Sequence, residues 1–544
     1  MAVTDKAFLA SIVMSAAFFL FGNESMADAQ NGTSSAQDTG GATQKSYHPE
    51  HGEVLLGELR VAGFPTRREF VLDPRLSILV TDVDTTKQIK FSEVMDQLVA
   101  QGGDSSLTKF DLFRQWWNTA DLKPGLFPGP HCDDKSAAQP VKGIPDYTAF
   151  STLNGFPYRC PRPEKSEASI NTLNSPFDES ADAGYIAIAF SNRFDLISPD
   201  FQDCGEYRIV FARNSGKAEP GVQHRILINF EARVPNPDPT NGIQGCHPIL
   251  DFWHGLSDPS ISASDRGKKL HDFYLNGLPG DHVGPVVDIA HYTFGTGQIR
   301  TNQFLPSGGV DFSWTLREFK TDMRTNRRLQ IVPDTAKTSP GNDLFRCGPA
   351  DPRVASLTQD IRNQIANGKL LGTNINSIGF SISPEHDNVN AFEGDEWNGD
   401  AAKLGDVRAA FLVPCADGTT PNPVLSQSIQ DALTAAGPAA SDLTPKNIVD
   451  RIRTQTCAGC HHYSGNGSYG PDDLGGRLAW PDKAKADHVH PELGGMDFTQ
   501  VSERNEHLQD NRTRYGISKA VEKFLEHREA FMKKALGIEV GTDR

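Results

Sequence analysis

The run Cys457-Ala458-Gly459-Cys460-His461 decides how the carboxyl-terminal part of this chain folds. Two thiols three residues apart on one turn can each add to a vinyl group of one porphyrin, and the imidazole that follows can bind the iron. Zinc sites usually show a second C-x-x-C pair, and redox dithiols lie in a βαβ setting. The sequence has neither pattern, so a zinc site or a plain disulfide is the weaker alternative. The run predicts one covalently attached haem c, with His461 as the proximal iron ligand.

The residues after this run resemble a class I cytochrome c. His461 is followed by Gly465-Asn466-Gly467, Gly470-Pro471 and Leu474-Gly475-Gly476, with one residue more between Pro471 and Leu474 than that family has. The resemblance covers about the last hundred residues. It implies an all-α haem domain over 441–544, whose first and last helices pack together over the porphyrin. It also implies that the Pro471 carbonyl accepts a hydrogen bond from the His461 ring and so fixes its tautomer.

Helical patterns flank the attachment run on both sides. Thr444-Pro445 predicts an N-cap followed by proline at the first helical position. Ser518 predicts the cap of a final helix that ends at Gly537. The two helices carry apolar stripes made by Ile448, Val449 and Ile452 and by Val521, Phe524, Leu525, Phe531 and Ala535.

The second axial ligand of the iron stays open between three alternatives. Met496 lies where the resemblance places a distal methionine, and its neighbours Gly494 and Gly495 favour a loop. His488 and His490 compete for the same position, and an open iron site is the third alternative. Thioether ligation raises the reduction potential and favours electron transfer, a second imidazole lowers it, and an open site permits peroxide or gas chemistry.

The beginning of the chain predicts export. An apolar stretch over 7–21 follows Lys6, and Ala27-Asp28-Ala29 has the A-x-A form of a cleavage site, which predicts a signal peptide over 1–29. The stretch is short for a membrane span, although a retained anchor is the alternative. Residues 30–48 are rich in Ser, Thr, Gly and Gln and predict a disordered linker. We therefore expect a periplasmic, secreted or cell-surface protein without a transmembrane span after cleavage.

The remaining cysteines agree with an oxidising compartment. Six are left once the two haem thiols are set aside, and an even number in an exported chain predicts three disulfides, with buried free thiols as the alternative. Six cysteines allow fifteen pairings. We expect neighbours to pair, which gives Cys132 with Cys160, Cys204 with Cys246 and Cys347 with Cys415.

The charge of the chain restricts its partners. The formal net charge is −16, and removal of residues 1–29, which hold Lys6 and three acids, leaves −14. So acidic a chain without a basic block is a poor candidate for nucleic acid or an anionic membrane. The charge suits a basic redox partner protein, although excess acid also keeps an exported protein in solution.

Residues 49–440 predict a large α+β region of one or two domains. Ser92 predicts a cap for a helix over Glu93–Gln101, and Thr108–Thr119 predicts a second helix. Arg208 alternates with Tyr207 and Ile209, which predicts a sheet face open to solvent. Strands are predicted at Tyr185–Phe190, Glu206–Phe211 and Arg225–Phe230, and further helices at Val354–Ala366 and Val424–Ala436.

This central region predicts no catalytic constellation. Gly379–Ser383 is one residue short of a G-x-S-x-G elbow and predicts a strand, and the acidic loop with Glu385 and His386 predicts a solvated surface. Asn192–Leu196 and Cys204–Phe211 resemble uncharacterised exported bacterial proteins, which implies no function. Three functions remain: single-electron transfer, which we favour; a haem-dependent oxidoreductase with its substrate site in the central region or at an open iron; and a haem-bearing binding or sensor protein.

Overall fold

A computed structural model describes residues 71–116, 139–140, 148–160, 175–217, 225–307, 310–323, 328–348, 351–374, 377–388, 391–392, 407–457, 473–476, 478, 501–507 and 512–538. The helices are α1 (Pro74–Ser77), α2 (Val83–Thr86), α3 (Phe91–Gln101), α4 (Lys109–Gln115), α5 (His247–Gly255), α6 (Ala263–Asn276), α7 (Arg353–Ala366), α8 (Val407–Leu412), α9 (Pro423–Ala436), α10 (Pro445–Gln455) and α11 (Lys519–Ala535). The strands are β1 (Leu79–Val80), β2 (Gln139–Pro140), β3 (Thr148–Leu153), β4 (Phe156–Cys160), β5 (Tyr185–Arg193), β6 (Asp203–Arg213), β7 (Arg225–Pro235), β8 (Gln298–Ser307), β9 (Val310–Asp322), β10 (Gln330–Asp334), β11 (Ala391–Phe392), β12 (Val501–His507) and β13 (Thr513–Ile517).

An antiparallel sheet forms the centre of the fold, in the order β1-β5-β6-β7-β8-β9-β10 with β11 paired to β9. Three strands predicted from the sequence are confirmed as β5, β6 and β7, each extended at its carboxyl end. A second sheet joins β2, β3 and β4, and β12 pairs with β13 as a separate hairpin. The predicted mixture of helices and strands is thus confirmed for the region before residue 441.

The register of the central sheet separates an apolar face from a charged one. Ile209 lies opposite Phe230, Phe230 opposite Ile299, and Ile299 opposite Phe319, so one apolar row crosses four strands. Helices α3, α4 and α6 cover this row, and the Phe91 ring of α3 lies 5.1 Å from that of Phe211. Because side chains alternate along a strand, the polar residues between these positions point to the other face.

A helical core lies beside the sheet. It joins α7, α8, α9 and α10, with Ile429 of α9 and Ile452 of α10 both fully buried in it. This core contains residues from both sides of position 441, where the sequence predicts the haem domain to begin. Helix α10 therefore packs with helices of the preceding region.

The last helix lies elsewhere than a cytochrome-like arrangement implies. Phe531 of α11 is buried in the sheet core, 5.7 Å from the ring of Phe194, and Phe524 of the same helix contacts the helical core. The hairpin β12-β13 also differs from an all-α prediction for 441–544. Its Ile517 is fully buried in the sheet core, so apolar burial against the central sheet accounts for strands in this region.

Local signals predicted the helix ends well. Thr444 caps α10, Ser518 caps α11, and Gly537 follows α11 in the left-handed region at φ +63°. The cap predicted at Ser92 is wrong, since α3 begins at Phe91 and the Glu93 carboxylate accepts from the Lys90 amide. The strand predicted at Gly379–Ser383 is also wrong, and that segment is irregular.

Two of the three expected cysteine pairs lie at disulfide-bonding distance. The Cα atoms are 5.5 Å apart for Cys204 and Cys246 and 5.3 Å apart for Cys347 and Cys415. The third pair includes Cys132, which lies outside the described residues. Within the described part of the chain, no helix is both long and apolar enough to cross a bilayer.

Candidate haem-attachment site and the buried charges beside it

Helix α10 leads directly into the attachment run. The Thr444 side chain accepts from the Asn447 amide, and Pro445 needs no donor at the first position, so the start of the helix is fixed locally. Every residue from Asn447 to Gln455 is buried, although the sequence shows a single apolar stripe. The charged members are accommodated by partners. The buried Asp450 carboxylate lies 2.9 Å from Lys446 and 3.2 Å from Arg408.

The chain returns to α10 soon after the attachment run. The buried Arg451 guanidinium donates to the carbonyls of Leu474 and Gly475, at 2.7 and 3.3 Å, and Asn447 donates to the Asp473 carbonyl at 2.7 Å. Gly475 has φ +65°, a conformation that favours glycine. The chain therefore leaves α10 at Cys457 and is bound to the same helix again at Asp473.

One of the predicted haem residues can be placed. Cys460, His461, Pro471, His488, His490 and Met496 lie outside the described residues. Cys457 lies inside them. Among the cysteine side chains that the structure describes, it is the one without a disulfide partner.

Cys457 lies between the helical core and the central sheet. Its amide donates to the Ser339 hydroxyl at 3.3 Å, and its Sγ lies 3.7 Å from the Lys337 carbonyl oxygen. The half-buried side chain packs against the sheet core. Burial raises the pKa of the thiol, while the nearby Arg300 guanidinium opposes that rise. An unpaired thiol that directly follows a fixed helix fits the thioether attachment predicted for this position.

The charged face of the central sheet lies next to this cysteine. We name its linked residues the charge cluster: Glu206, Arg208, Glu231, Arg300, Glu318 and Lys320. Acids and bases alternate through it. The successive distances between charged nitrogen and oxygen atoms, in the order of that list, are 2.6, 3.7, 3.2, 3.0 and 3.1 Å. The Glu231, Glu318 and Lys320 side chains are at most 2 % exposed.

Two further ionisable groups connect the charge cluster to Cys457. The Lys337 ammonium donates to the Gln298 side-chain oxygen at 2.8 Å, and Asp387 accepts from the Ser339 amide at 3.2 Å. Burial, reinforced by the neighbouring Lys320 ammonium, lowers the pKa of Lys337 to about 8. Burial, together with the Glu318 carboxylate, raises the pKa of Asp387 well above its usual range.

The pKa of Glu318 is shifted in the opposite direction from that of Asp387. Burial disfavours its charged form, but Lys320 and Arg300 outweigh burial and hold the pKa of Glu318 at about 2. A carboxylate with a lowered pKa thus lies close to a carboxyl group, Asp387, whose pKa is raised. Such divergent pKa values are typical of functional sites, although structural ion-pair networks produce them too.

The sequence interpretation missed this cluster. Alternation of Arg208 with apolar neighbours predicts a solvent-facing strand face, yet the Arg208 side chain is only 15 % exposed. That expectation is wrong because acidic partners from neighbouring strands allow the charge to be covered. A signal was present: an acid or amide, an apolar residue and a base recur at Glu206-Tyr207-Arg208, Glu231-Ala232-Arg233, Gln298-Ile299-Arg300 and Glu318-Phe319-Lys320.

A Ser-His-Asp arrangement occurs on the helical side. Ser356 Oγ lies 2.8 Å from His386 Nε2, and Asp360 Oδ2 lies 3.3 Å from His386 Nδ1. These distances resemble those of a nucleophile and its base. However, the Ser356 hydroxyl also donates to the Arg353 carbonyl at 3.1 Å, and the His386 ring is fully buried. We interpret the arrangement as a structural contact that holds the loop carrying Asp387 against α7.

No family model, no curated protein and no solved structure matches this chain. Among the described residues, no group of three or more His, Cys, Asp or Glu side chains has the arrangement of a metal site.

Proposed function

We propose that this chain is an exported c-type haem protein that transfers single electrons through one haem, attached at Cys457 and Cys460 with His461 as the proximal ligand. The position of Cys457 carries the proposal. It offers an unpaired thiol at the end of a capped helix, in a C-x-x-C-H run, and the chain beyond the run is bound back to that helix. An unpaired thiol at the end of a capped helix suits covalent attachment better than a fourth structural disulfide.

Described residues hold the chain on both sides of the attachment run. When bound, the haem supplies a one-electron iron couple. Arg451 and Asn447 bind the returning chain at Leu474 and Asp473 to α10. The charge cluster provides fixed charges beside Cys457, where low exposure makes them act more strongly than they would in water.

The proposed redox partner is a basic protein. The net charge of −14 that remains after removal of residues 1–29 attracts a positively charged partner over long range, and salt screens that attraction. We expect the rate of electron exchange with a small basic electron carrier to fall as the ionic strength rises. A rate that is independent of salt would argue against a basic partner.

Export of the full chain in a bacterial host with the haem c maturation machinery tests the proposal. The purified protein should keep its haem after denaturation and acid extraction, as seen by haem staining of a denaturing gel. Replacing Cys457 and Cys460 together by Ser should abolish this staining. The matched control replaces Cys347 and Cys415 by Ser, since that variant also loses two cysteines but keeps the run, and it should still stain.

The distal ligand is tested on the same protein. We propose Met496, so the oxidised wild type should show the near-infrared band of thioether ligation, and Met496→Ala should lose it. His488→Ala and His490→Ala serve as matched variants. Loss of the native spectrum in one of these, with Met496→Ala unchanged, would assign that histidine instead.

A haem-dependent oxidoreductase is the second candidate. The observation in its favour is the charge cluster beside Cys457, because buried ionisable groups with divergent pKa values are a common feature of active sites. Carbon monoxide distinguishes the two functions. A reduced spectrum that carbon monoxide leaves unchanged supports electron transfer, and one that changes readily supports an open iron and an enzyme or sensor.

A further inference from the structure

Burying the charge cluster costs free energy, and packing alone does not explain why the sheet buries it. Removing an ion from water costs several kcal/mol, and a buried pair gives little net stability compared with apolar residues of the same size. The apolar face of the same sheet shows that this fold can bury apolar rows. The cluster nevertheless extends across strands β6 to β9 and reaches the loop that contacts Cys457.

Lys337 is a buried base beside the charge cluster whose ammonium forms no ion pair with a described carboxylate. Among the described residues, its ammonium donates to neutral oxygens, the Gln298 side chain at 2.8 Å and the Thr296 carbonyl at 3.3 Å. By contrast, the Lys320 ammonium binds the Glu318 carboxylate at 3.1 Å. The charged groups that face Lys337 are Lys320 and Glu318 on β9, Glu206 on β6, Arg233 on β7, Asp334 on β10 and Asp387 in the loop after α7.

Lys337 is also the lysine whose backbone contacts the attachment cysteine. Its carbonyl oxygen lies 3.7 Å from Cys457 Sγ, the atom that would bond to a porphyrin vinyl carbon rather than to iron. A haem attached at Cys457 would have that thioether bond beside this loop. A change of charge at the haem therefore acts on the Lys337 ammonium across a poorly hydrated region, where electrostatic interactions are strong.

We propose that Lys337 takes up one proton from solvent when one electron enters the haem. This inference rests on the proposed function. The electron comes from the redox partner and the proton from water, and the neutral amine of Lys337 becomes an ammonium. The added positive charge on Lys337 offsets the electron and so stabilises the reduced state.

The charge of the haem in its two oxidation states determines how the midpoint potential changes with pH. The oxidised haem carries one more positive charge, so the pKa of Lys337 is lower in the oxidised state than in the reduced state. At a pH below both pKa values of Lys337, the midpoint potential is constant, because Lys337 is charged in the oxidised and in the reduced protein. Between them, in the region of pH 8, the potential falls as pH rises, with a slope of at most about 59 mV per pH unit for one proton per electron. Above both values the potential is constant again and lower.

Potentiometric titration of the full-length holoprotein over a range of pH tests the inference with two opposite variants. Lys337→Met removes the charge at every pH, so its potential should be independent of pH and equal to the alkaline plateau of the wild type. Lys337→Arg keeps the charge at every pH, so its potential should be independent of pH and equal to the acid plateau. Lys268→Met is the matched control, since this lysine is 64 % exposed on α6, and it should keep the wild-type curve.

Every outcome of this titration either supports the inference or overturns it. A purely structural role for Lys337 would not move the two variants to opposite plateaus. If Lys337→Met fails to fold, Lys337→Arg still tests the coupling, because a retained slope in that variant overturns it. A wild-type potential that does not change with pH in a protein with covalent haem overturns this inference alone. A protein without covalent haem overturns the proposed function instead.

Discussion

Both faces of the central sheet are largely buried, but apolar contacts stabilise one face and ion pairs stabilise the other. On one face, the row of Ile209, Phe230, Ile299 and Phe319 lies beneath aromatic helices and gains stability from every apolar contact. On the other face, the charge cluster is largely covered, and it gains stability only because each charge has a partner. Burial by itself therefore does not distinguish a core from a site, whereas the cost of the buried groups does.

The largest effect on stability is expected on the apolar face. Phe91 is 1 % exposed and contacts several aromatic rings, so Phe91→Ala should lower the free energy of unfolding by about 3–5 kcal/mol. Denaturant unfolding measures this change. The control Val424→Ala, at a residue that is 76 % exposed, should change stability by no more than about 0.5 kcal/mol. Equal effects of the two variants would contradict the assignment of this face as the core.

The charged face is tested by Glu318→Gln. The change keeps the shape but leaves Arg300 and Lys320 without their shared carboxylate, so we expect a loss of about 3 kcal/mol. The pKa of Glu318 is about 2, below its usual 4.5, so in the wild type its contribution is complete above pH 4.5 and is lost as pH falls toward 2. Unfolding measured against pH should lack this part of the acid dependence in the variant.

An exposed pair provides the control for that prediction. Asp84 and Lys87 are 66 % and 57 % exposed, so Asp84→Asn should cost no more than about 1 kcal/mol. If Glu318→Gln lowers the free energy of unfolding as little as Asp84→Asn does, the charge cluster is hydrated and its charges are not desolvated.

A smaller effect is expected where the chain returns to α10. Gly475 has φ +65°, and an added Cβ would lie 2.8 Å from a Leu443 methyl carbon and 2.9 Å from Asn447, so Gly475→Ala should cost about 1–3 kcal/mol. Gly537 has φ +63° with no atom within 4 Å of an added Cβ. Gly537→Ala therefore measures the backbone strain alone, and thermal unfolding of both variants isolates the crowding at α10. Identical losses would show that the return loop is not packed as described.

The smallest effect is expected at the cap of α11. The Ser518 side chain accepts from the Val521 amide, and Ser518→Ala should cost about 1 kcal/mol, while Ser518→Asp should keep most of that stability. Calorimetric unfolding measures both. A loss in Ser518→Asp as large as in Ser518→Ala would argue that the hydroxyl has another role at this position.

Local signals predicted much of the fold, and long-range contacts account for what they missed. The caps at Thr444 and Ser518 and the strands β5 to β7 depend on neighbouring residues, so sequence patterns suffice for them. The packing of α10 and α11 into different cores depends on distant partners such as Phe194, which no local pattern reports. Likewise, alternation identified the polar face at Arg208 but could not show that β7 and β8 bring Glu231 and Arg300 to cover it.

The candidate site was predicted in part. The attachment run is a local motif and could be found at once, because its chemistry fixes its spacing. Its surroundings could not be found, since Lys337 and Asp387 lie far from Cys457 in the sequence and meet it only through the sheet and the loop after α7.

The most direct test of the account is the absorption spectrum of the purified, exported protein after denaturation in alkaline pyridine, read together with haem staining of the denatured chain. We expect the haemochrome spectrum of a porphyrin with saturated, thioether-linked side chains, with one haem per chain that stays on the polypeptide. A colourless protein, or a haem that acid extraction removes, would contradict the central claim.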